Sequence, residues 1–500
     1  MPEHDVAALA ALPEGEPVRV EAGDRAILMI RSGDQVSALT HECPHLGLPL
    51  SKGVVRGNTL ICAFHHACFD WRSGAQSEPP GKGDLQRFAV AIRDGRVVVD
   101  VPADAPAHPL PEPAARTGDE RTFVVAGAGA AAFEAAASLR AEGFAGRIEM
   151  IAPDGAPLDR TMLSKAVLAG GKAVADLGLA PAPGDLGVTL IRDRVEAVEP
   201  GRVRLASGGT RAFDALLVAP GGAPRSLGID GEGLDGVHTL RSGADAEAIV
   251  ADLAGARRAV VIGGGFIGLE AALSLAKRGL DVTLATREAL PIETIVGEAV
   301  ARAILAEHAE KGVRHLPETE AARIAGDGRA AAVEWAGSGR AEADLVLVAV
   351  GVEPVTARID GLPAQEDGGV AVGPDLAVPG LENVYVAGDC AEAPTPFGPA
   401  RIEHWRVAAQ HGARAARAML GQAVEATEIP FFWTALARQY RYLGHAEGWD
   451  RIEMDGDPAG PFLARYVKDG RVMAALTAGR DADLAALHLE MREAGGPIPA

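Results

Sequence analysis

Cysteine is scarce in this chain: 500 residues hold four, at positions 43, 62, 68 and 390, and no two of them form a CxxC pair. Four thiols are too few for a disulfide framework. Without CxxC there is no dithiol relay, which excludes chemistry of the glutathione- or thioredoxin-reductase kind. Positive charge is also short. Lys and Arg total 48 against 68 Asp and Glu, a formal net charge of -20, which argues against a nucleic-acid or anionic-membrane partner because phosphates are repelled. The opening MPEHDVAALAALPEG lacks a basic region ahead of an apolar core, so it does not read as a signal peptide. Long apolar runs are missing too. The two richest stretches, near 123–139 and 259–276, contain glycines and each carries a Glu (Glu134, Glu270). They fit buried strand–turn–helix units better than membrane spans, and the expected location is cytoplasmic.

What the chain does contain is several textures in succession, and its length suits three or four domains. Residues 17–101 alternate in short strand-like runs such as PVRVEAG, AILMIRSG and QVSALT, with the turn RDGR at 93–96. This predicts an all-β domain over 1–104. The stretch 102–119 is rich in Pro and Ala and has no periodicity, so a semi-stiff linker is expected over 105–119. From Arg121 the pattern becomes strand, glycine turn, helix, strand, and it recurs from Ala256. Two βαβ units predict two Rossmann-like α/β domains. One is expected over 120–240 and 357–424, the other over 241–356, and a small α+β domain is expected over 425–500.

The most specific motif is Cys43-Pro-His45, sixteen residues, then Cys62-Ala-Phe-His65. Two thiolates can hold one iron and two imidazoles the other, the mixed ligation of a Rieske [2Fe–2S] centre. The competing reading is zinc, the usual partner of a Cys2His2 set. Zinc fingers, however, place CxxC first and both His on a helix. Here each of two loops between strands supplies one Cys and one His. His41 and Cys68 lie near in sequence but are not read as ligands.

Gly127-Ala-Gly129-Ala-Ala-Ala132 follows a strand and opens a helix, as does Gly263-Gly-Gly265-Phe-Ile-Gly268. Such turns let the backbone approach a pyrophosphate at a helix N-terminus. After the second strand of the first unit, Asp154 is the nearest carboxylate for an adenosine ribose. The equivalent position of the second unit carries Thr286 then Arg287, in VTLATRE. Lacking a carboxylate there, the site favours a 2′-phosphate, which Arg can pair, and hence NADPH over NADH. The alternative is that Glu288 swings in and NADH is used.

PLDRTMLSK (157–165), LRSGADAEAI (240–249), ADLVLVAVGVEPVT (343–356), YVAGDC (385–390), RIEHWRVAAQHG (401–412) and PFFWTAL (430–436) occur in the order seen in ferredoxin reductases that feed Rieske oxygenases and P450s. With its N-terminal domain included, the whole chain resembles the Rieske-containing, apoptosis-inducing-factor-like flavoproteins of the FAD-dependent pyridine nucleotide-disulfide oxidoreductase superfamily. The resemblance implies FAD at Gly127, Gly129 and Ala132, with Arg160 and Lys165 beside the flavin. It also implies Gly388 and Asp389 at the ribityl chain, and Glu403, His404, Trp405 and Trp433 near the isoalloxazine. NAD(P)H would take Gly263, Gly265, Gly268, Thr286 and Arg287. Lys165, paired with a nearby Glu, Glu270 and Trp433 are the expected catalytic residues; the bland alternative for Trp433 is a core aromatic. Three departures stand out: Leu158 replaces Tyr, Pro220 stands where Thr-Gly is common, and His66 stands where Gly is usual. Leu48 occupies the position of the cysteine that some relatives bridge, so Cys68 is expected to be a free buried thiol.

The implied activity is NAD(P)H-dependent oxidoreduction, from NAD(P)H through FAD and the cluster to an unknown protein acceptor such as an oxygenase, P450 or ferredoxin. An acidic surface would suit a basic partner. Two alternatives stay open: a reductase whose fused Rieske domain is a side branch, and an NAD(P)H-sensing interaction module. A Rieske oxygenase itself is not expected, since no 2-His-1-carboxylate site in a dedicated catalytic domain is found. A homodimer is possible on this reading.

Overall fold

The computed structural model describes residues 3–81, 83–109 and 118–500. In the strand Arg25–Ser32, successive side chains point to opposite faces, and both faces are covered. Ile27 and Met29 enter one apolar core of the N-terminal domain, while Leu28 and Ile30 enter a second that also contains Cys43 and Cys62. The antiparallel sheet runs in the order Glu3–Ala8, Arg96–Asp100, Arg87–Arg93, Gln35–Thr40, Arg25–Ser32, Val18–Ala22. The first of these strands was not visible in the acidic N-terminal sequence. It is joined to the edge by ion pairs Arg93–Glu3 at 2.6 Å and Arg96–Asp5 at 2.8 Å. A smaller sheet of Val54–Arg56, Thr59–Ile61, Cys68–Asp70 and Gln76–Glu78 carries the second Cys–His loop.

The stretch expected as linker begins with residues tied to this domain. Arg25 donates to the carbonyl of Ala105, Thr40 to that of Ala107, and the Asp84 amide to that of Pro109. A Pro- and Ala-rich segment with few side-chain donors can still be anchored through its carbonyls. The remainder, 110–117, lies outside the described residues.

Two parallel five-stranded sheets follow. The first is ordered Val188–Ile191, Arg147–Ile151, Thr122–Ala126, Ala215–Val218, Val384–Val386, and its last strand returns after the second domain. The second is ordered Val237–His238, Leu345–Val348, Arg258–Ile262, Asp281–Ala285, Val313–Leu316, so Val237–His238 pair in it although they precede residue 241. Helices Ala130–Ala141 and Trp405–Met419 pack so closely that a Cβ at Gly412 would meet the Ala131 carbonyl oxygen at 2.2 Å.

The C-terminal domain is an antiparallel sheet spanning Phe431–Ala435 to Arg471–Ala478, followed by the helix Asp481–Ala494. That helix has two apolar faces. Leu484, Leu487 and Met491 join its own sheet, whereas Ala485 and Leu489 pack with Ile61, Ala63 and Cys68 of the N-terminal domain. The N-terminal domain is thereby seated on the C-terminal one. No helix among the described residues is long and apolar enough to cross a membrane.

His411 lies inside the Trp405–Met419 helix, and its Nδ1 accepts the Gly388 amide at 3.3 Å. Burial, then the Arg414 charge, pull its pKa down from 6.5 to about 3. Between these values the unfolded chain binds the proton and the folded one does not, so acid favours unfolding. Stability is expected to fall from pH 6.5 towards about 3, by at most about 1.4 kcal/mol per pH unit from this group. His411→Gln should flatten that part of the profile in thermal unfolding measured against pH.

Candidate functional site

Both Cys–His loops close in the same way. The Cys43 amide donates to the Leu48 carbonyl and the Gly47 amide to the Cys43 carbonyl, each at 2.9 Å. In the second loop the Cys62 amide donates to the Ala67 carbonyl at 2.9 Å and the His66 amide to the Cys62 carbonyl at 3.0 Å. This duplication brings like to like. The Cys43 and Cys62 thiols lie close enough for each to perturb the other's ionisation, and the His45 and His65 rings meet edge-on with centroids 4.6 Å apart. All four side chains are buried. Among the described residues no three His, Cys, Asp or Glu side chains converge as they would on a single ion. A thiol pair beside an imidazole pair suits a two-iron cluster better than zinc. Burial, with the neighbouring His45 and Arg441, holds the His65 pKa down at about 2, so its imidazole is neutral and able to ligate. His41 instead bonds Ser51 at 2.9 Å. Cys68 is free and buried, with its thiol pKa pushed up to about 12 chiefly by burial.

The two glycine turns have matching geometry. Gly127 (φ 125°) and Gly263 (φ 116°) lie in the region that favours glycine, and a Cβ would sit 2.1 Å from the Ala219 carbonyl and 2.3 Å from that of Ala349 respectively. Gly129 and Gly265 cap the following helices with open space beside them, as a bound pyrophosphate requires. Ala132 and Gly268 are buried where helix meets strand.

A cavity of ≈ 240 Å³ opens from the first turn, and Gly129, Arg160, Lys165, Gly388, Asp389 and Glu403 contribute to its lining. His404, Trp405, Glu270 and Trp433 line it as well, as does Pro220. At its floor the buried Glu270 carboxylate accepts from Lys165 Nζ at 2.8 Å, Ser164 Oγ at 2.5 Å and Thr434 Oγ1 at 2.6 Å. Residues from three domains thus meet at one carboxylate. Burial lowers the His404 pKa to about 4, leaving a neutral ring against the cavity.

The three residues expected at the nucleotide riboses lie outside the wall of this cavity. Asp154 is half exposed and not in the cavity wall, with Oδ2 4.0 Å from the Arg160 guanidinium. Thr286 is buried, and its hydroxyl bonds the Glu288 carbonyl and His315 Nε2, both at 2.8 Å. Arg287 is exposed and pairs with Glu320 at 2.5 Å.

Other side chains at the site were not read from the sequence. Arg241 lines the cavity and holds the Asp389 carboxylate at 2.8 Å. Ser164 and Thr434 satisfy Glu270, and their neighbours Lys165 and Trp433 were the only signal for them.

Trp433 is shared by the cavity wall and the two Cys–His loops. Its indole lines the cavity, and its ring centroid lies 4.7 Å from that of His65 and 5.6 Å from that of His45. One side chain therefore spans the two sites.

A nicotinamide-dependent flavoprotein reductase with its own Rieske cluster domain is the class defined by this fold and site. The chain belongs to the pyridine nucleotide-disulphide oxidoreductase family, whose pattern matches residues 121–412, and the Rieske [2Fe-2S] domain pattern matches residues 3–89. It is 31% identical over 494 residues to apoptosis-inducing factor 3 of Homo sapiens, covering 94% of this chain and 80% of that protein. It is 34% identical to a ferredoxin–NAD(P)(+) reductase of Sphingomonas sp, over 70% of this chain and 88% of that one. Among solved structures, the covalent putidaredoxin reductase–putidaredoxin complex matches at a TM-score of 0.71 and 28% identity, over 75% of this chain and 94% of that one. The protein is an NAD(P)H-dependent, ferredoxin-reductase-like oxidoreductase that uses FAD and a [2Fe–2S] cluster.

Proposed function

We propose that electrons run from NAD(P)H by way of the flavin site to the Rieske cluster of the same chain, and from there to an external protein acceptor such as an oxygenase, P450 or ferredoxin. The observation that carries this reading is Trp433, which touches both imidazoles and walls the flavin cavity. When bound, FAD accepts hydride and the cluster carries single electrons, so the pair converts a two-electron donor into one-electron steps.

In this reading the chain's own residues supply alignment and fixed charge, since hydride transfer needs no general acid. Gly127, Gly129 and Ala132 hold the FAD pyrophosphate turn. Arg160 and Asp389 face the cavity from opposite domain segments. Glu270 already accepts three hydrogen bonds, so it acts as a fixed partner that orients Lys165 and not as a mobile base. Trp433 keeps water from the path between the cavity and His65. The test is anaerobic titration with NADPH and with NADH, following flavin absorbance and the EPR signal of the cluster. Flavin bleaching followed by a Rieske-type signal supports the route. Bleaching with the cluster left oxidised defeats it.

We further propose that the Arg287–Glu320 pair tunes the choice of nucleotide. Both side chains are exposed, so the pair is worth only about 0–1 kcal/mol, and a 2′-phosphate can displace Glu320. Glu320→Gln is expected to raise kcat/KM for NADPH roughly two- to fivefold with little change for NADH. Arg287→Ala should lower the NADPH value by roughly tenfold or more, through the loss of a charged hydrogen bond. Steady-state kinetics with both nucleotides checks this.

A further inference from the structure

Beside the apolar packing of the helix Asp481–Ala494, the Rieske domain meets the reductase through buried polar contacts. In the second ligand loop His66 has φ 57°, at the position taken by Gly47, φ 71°, in the equivalent first loop. A side chain is disfavoured in that region, yet here it has partners across the junction. The imidazole stacks on Phe431, with centroids 3.8 Å apart and planes 19° apart, and its Nδ1 lies 2.7 Å from Nδ1 of His488. These residues are 422 apart in sequence.

A carboxylate does the same work nearby. Glu78 pairs with the fully buried Arg406 and accepts from Gln410 at 2.9 Å, and its other oxygen lies 3.0 Å from Arg492. Arg406 also donates to the His66 carbonyl at 3.1 Å and to that of Pro79 at 3.0 Å. Arg441 donates to the Phe64 carbonyl at 2.5 Å, inside the ligand loop. Separating the domains would return the charged groups to water, but it would also expose the apolar surfaces of Phe431, Ala485 and Leu489 that pack on His66, Ile61, Ala63 and Cys68, an unfavourable change for any carrier that must undock.

We infer that His66 and Glu78 are positioning residues that lock the Rieske domain on the reductase throughout turnover, so that electrons cross a fixed junction at Trp433 instead of riding on a swinging domain. The inference rests on the internal route proposed above. Each NAD(P)H yields NAD(P)+, two electrons and one proton; the proton is released to solvent, and the cluster takes one electron at a time. Two crossings and two one-electron deliveries to the protein acceptor therefore complete a turnover.

The test uses the full-length holoprotein, reduced anaerobically with NADPH or NADH. Stopped-flow absorbance follows the flavin, and rapid-freeze EPR follows the cluster. His66→Gly suits the loop conformation, so the loop closes as its Gly47 counterpart does. Glu78→Ala removes the shared carboxylate, and Glu78→Gln retains one acceptor oxygen, enough for Arg406 and Gln410, which share Oε2, but not also for Arg492. The expected result is an unchanged EPR line shape, flavin reduction at the wild-type rate, and cluster reduction slowed at least roughly tenfold in His66→Gly and Glu78→Ala, with partial recovery in Glu78→Gln. In the wild type, cluster reduction should not depend on added glycerol, a measurement that stands even if a variant folds poorly. Wild-type cluster reduction in both His66→Gly and Glu78→Ala, or a wild-type rate that falls in proportion to viscosity, overturns the lock. A wild-type cluster that NAD(P)H never reduces overturns the internal route itself, and the lock with it.

Discussion

Replacing Glu270 with alanine is expected to lower stability by about 3–5 kcal/mol and to slow flavin reduction by NAD(P)H by roughly 10²-fold. Glu270 is 5% exposed and its carboxylate accepts from Ser164, Lys165 and Thr434. Truncation leaves two hydroxyls without their acceptor at the cavity floor and the Lys165 ammonium with the Thr161 carbonyl but no counter-charge. Breaking one side of a buried pair is far more damaging than never having built it, because the remaining charge stays desolvated. The second consequence is geometric. Ser164 and Lys165 belong to the first Rossmann-like unit, Glu270 to the helix Phe266–Lys277 of the second, and Thr434 to the C-terminal sheet. Loosening this junction shifts all three walls of the cavity. Glu270→Gln keeps the shape and part of the hydrogen bonding, so its stability cost should be smaller, about 1–3 kcal/mol. Denaturant unfolding of the holoprotein and anaerobic stopped-flow measurement check the two halves.

Trp433→Ala is expected to separate the two reductive events. Flavin reduction should stay within a few-fold of wild type, while cluster reduction slows by roughly 10²-fold. The indole lies within 4.7 and 5.6 Å of the His65 and His45 rings, centroid to centroid. Removing it opens a water-sized gap where the two sites meet. Trp433→Phe should retain much of the rate, because a planar ring still fills part of the space. Freeze-quench EPR timed against flavin absorbance reads the difference. Equal rates of cluster reduction in wild type and Trp433→Ala would mean that the indole is only packing.

Much of the architecture was legible because its signals are local. A Cys–His loop needs only a short turn between strands, and the 43–45 and 62–65 spacings state that turn directly. A glycine at 127 or 263 reports a strand-to-helix turn in which a Cβ would strike the next strand's carbonyl. The alternation in Arg25–Ser32 announced a strand, although not that both of its faces would be covered. The N-terminal strand Glu3–Ala8 escaped notice because its edge pairing depends on Arg93 and Arg96, far along the chain. Asp154, Thr286 and Arg287 were chosen by their place after a strand. The structure puts them outside the cavity wall, in their own contacts with Arg160, His315 and Glu320.

By itself, then, the sequence determined the ligand types, the two nucleotide turns and the absence of a dithiol relay, all written within a few residues of one another. Only the tertiary structure decided how the cluster domain meets the reductase. The contacts that seat it (Trp433 on His65, His488 on His66, Arg406 on Glu78) join residues more than three hundred positions apart. Burial made those pairings strong, and burial is a property of the folded surface that no stretch of sequence carries alone.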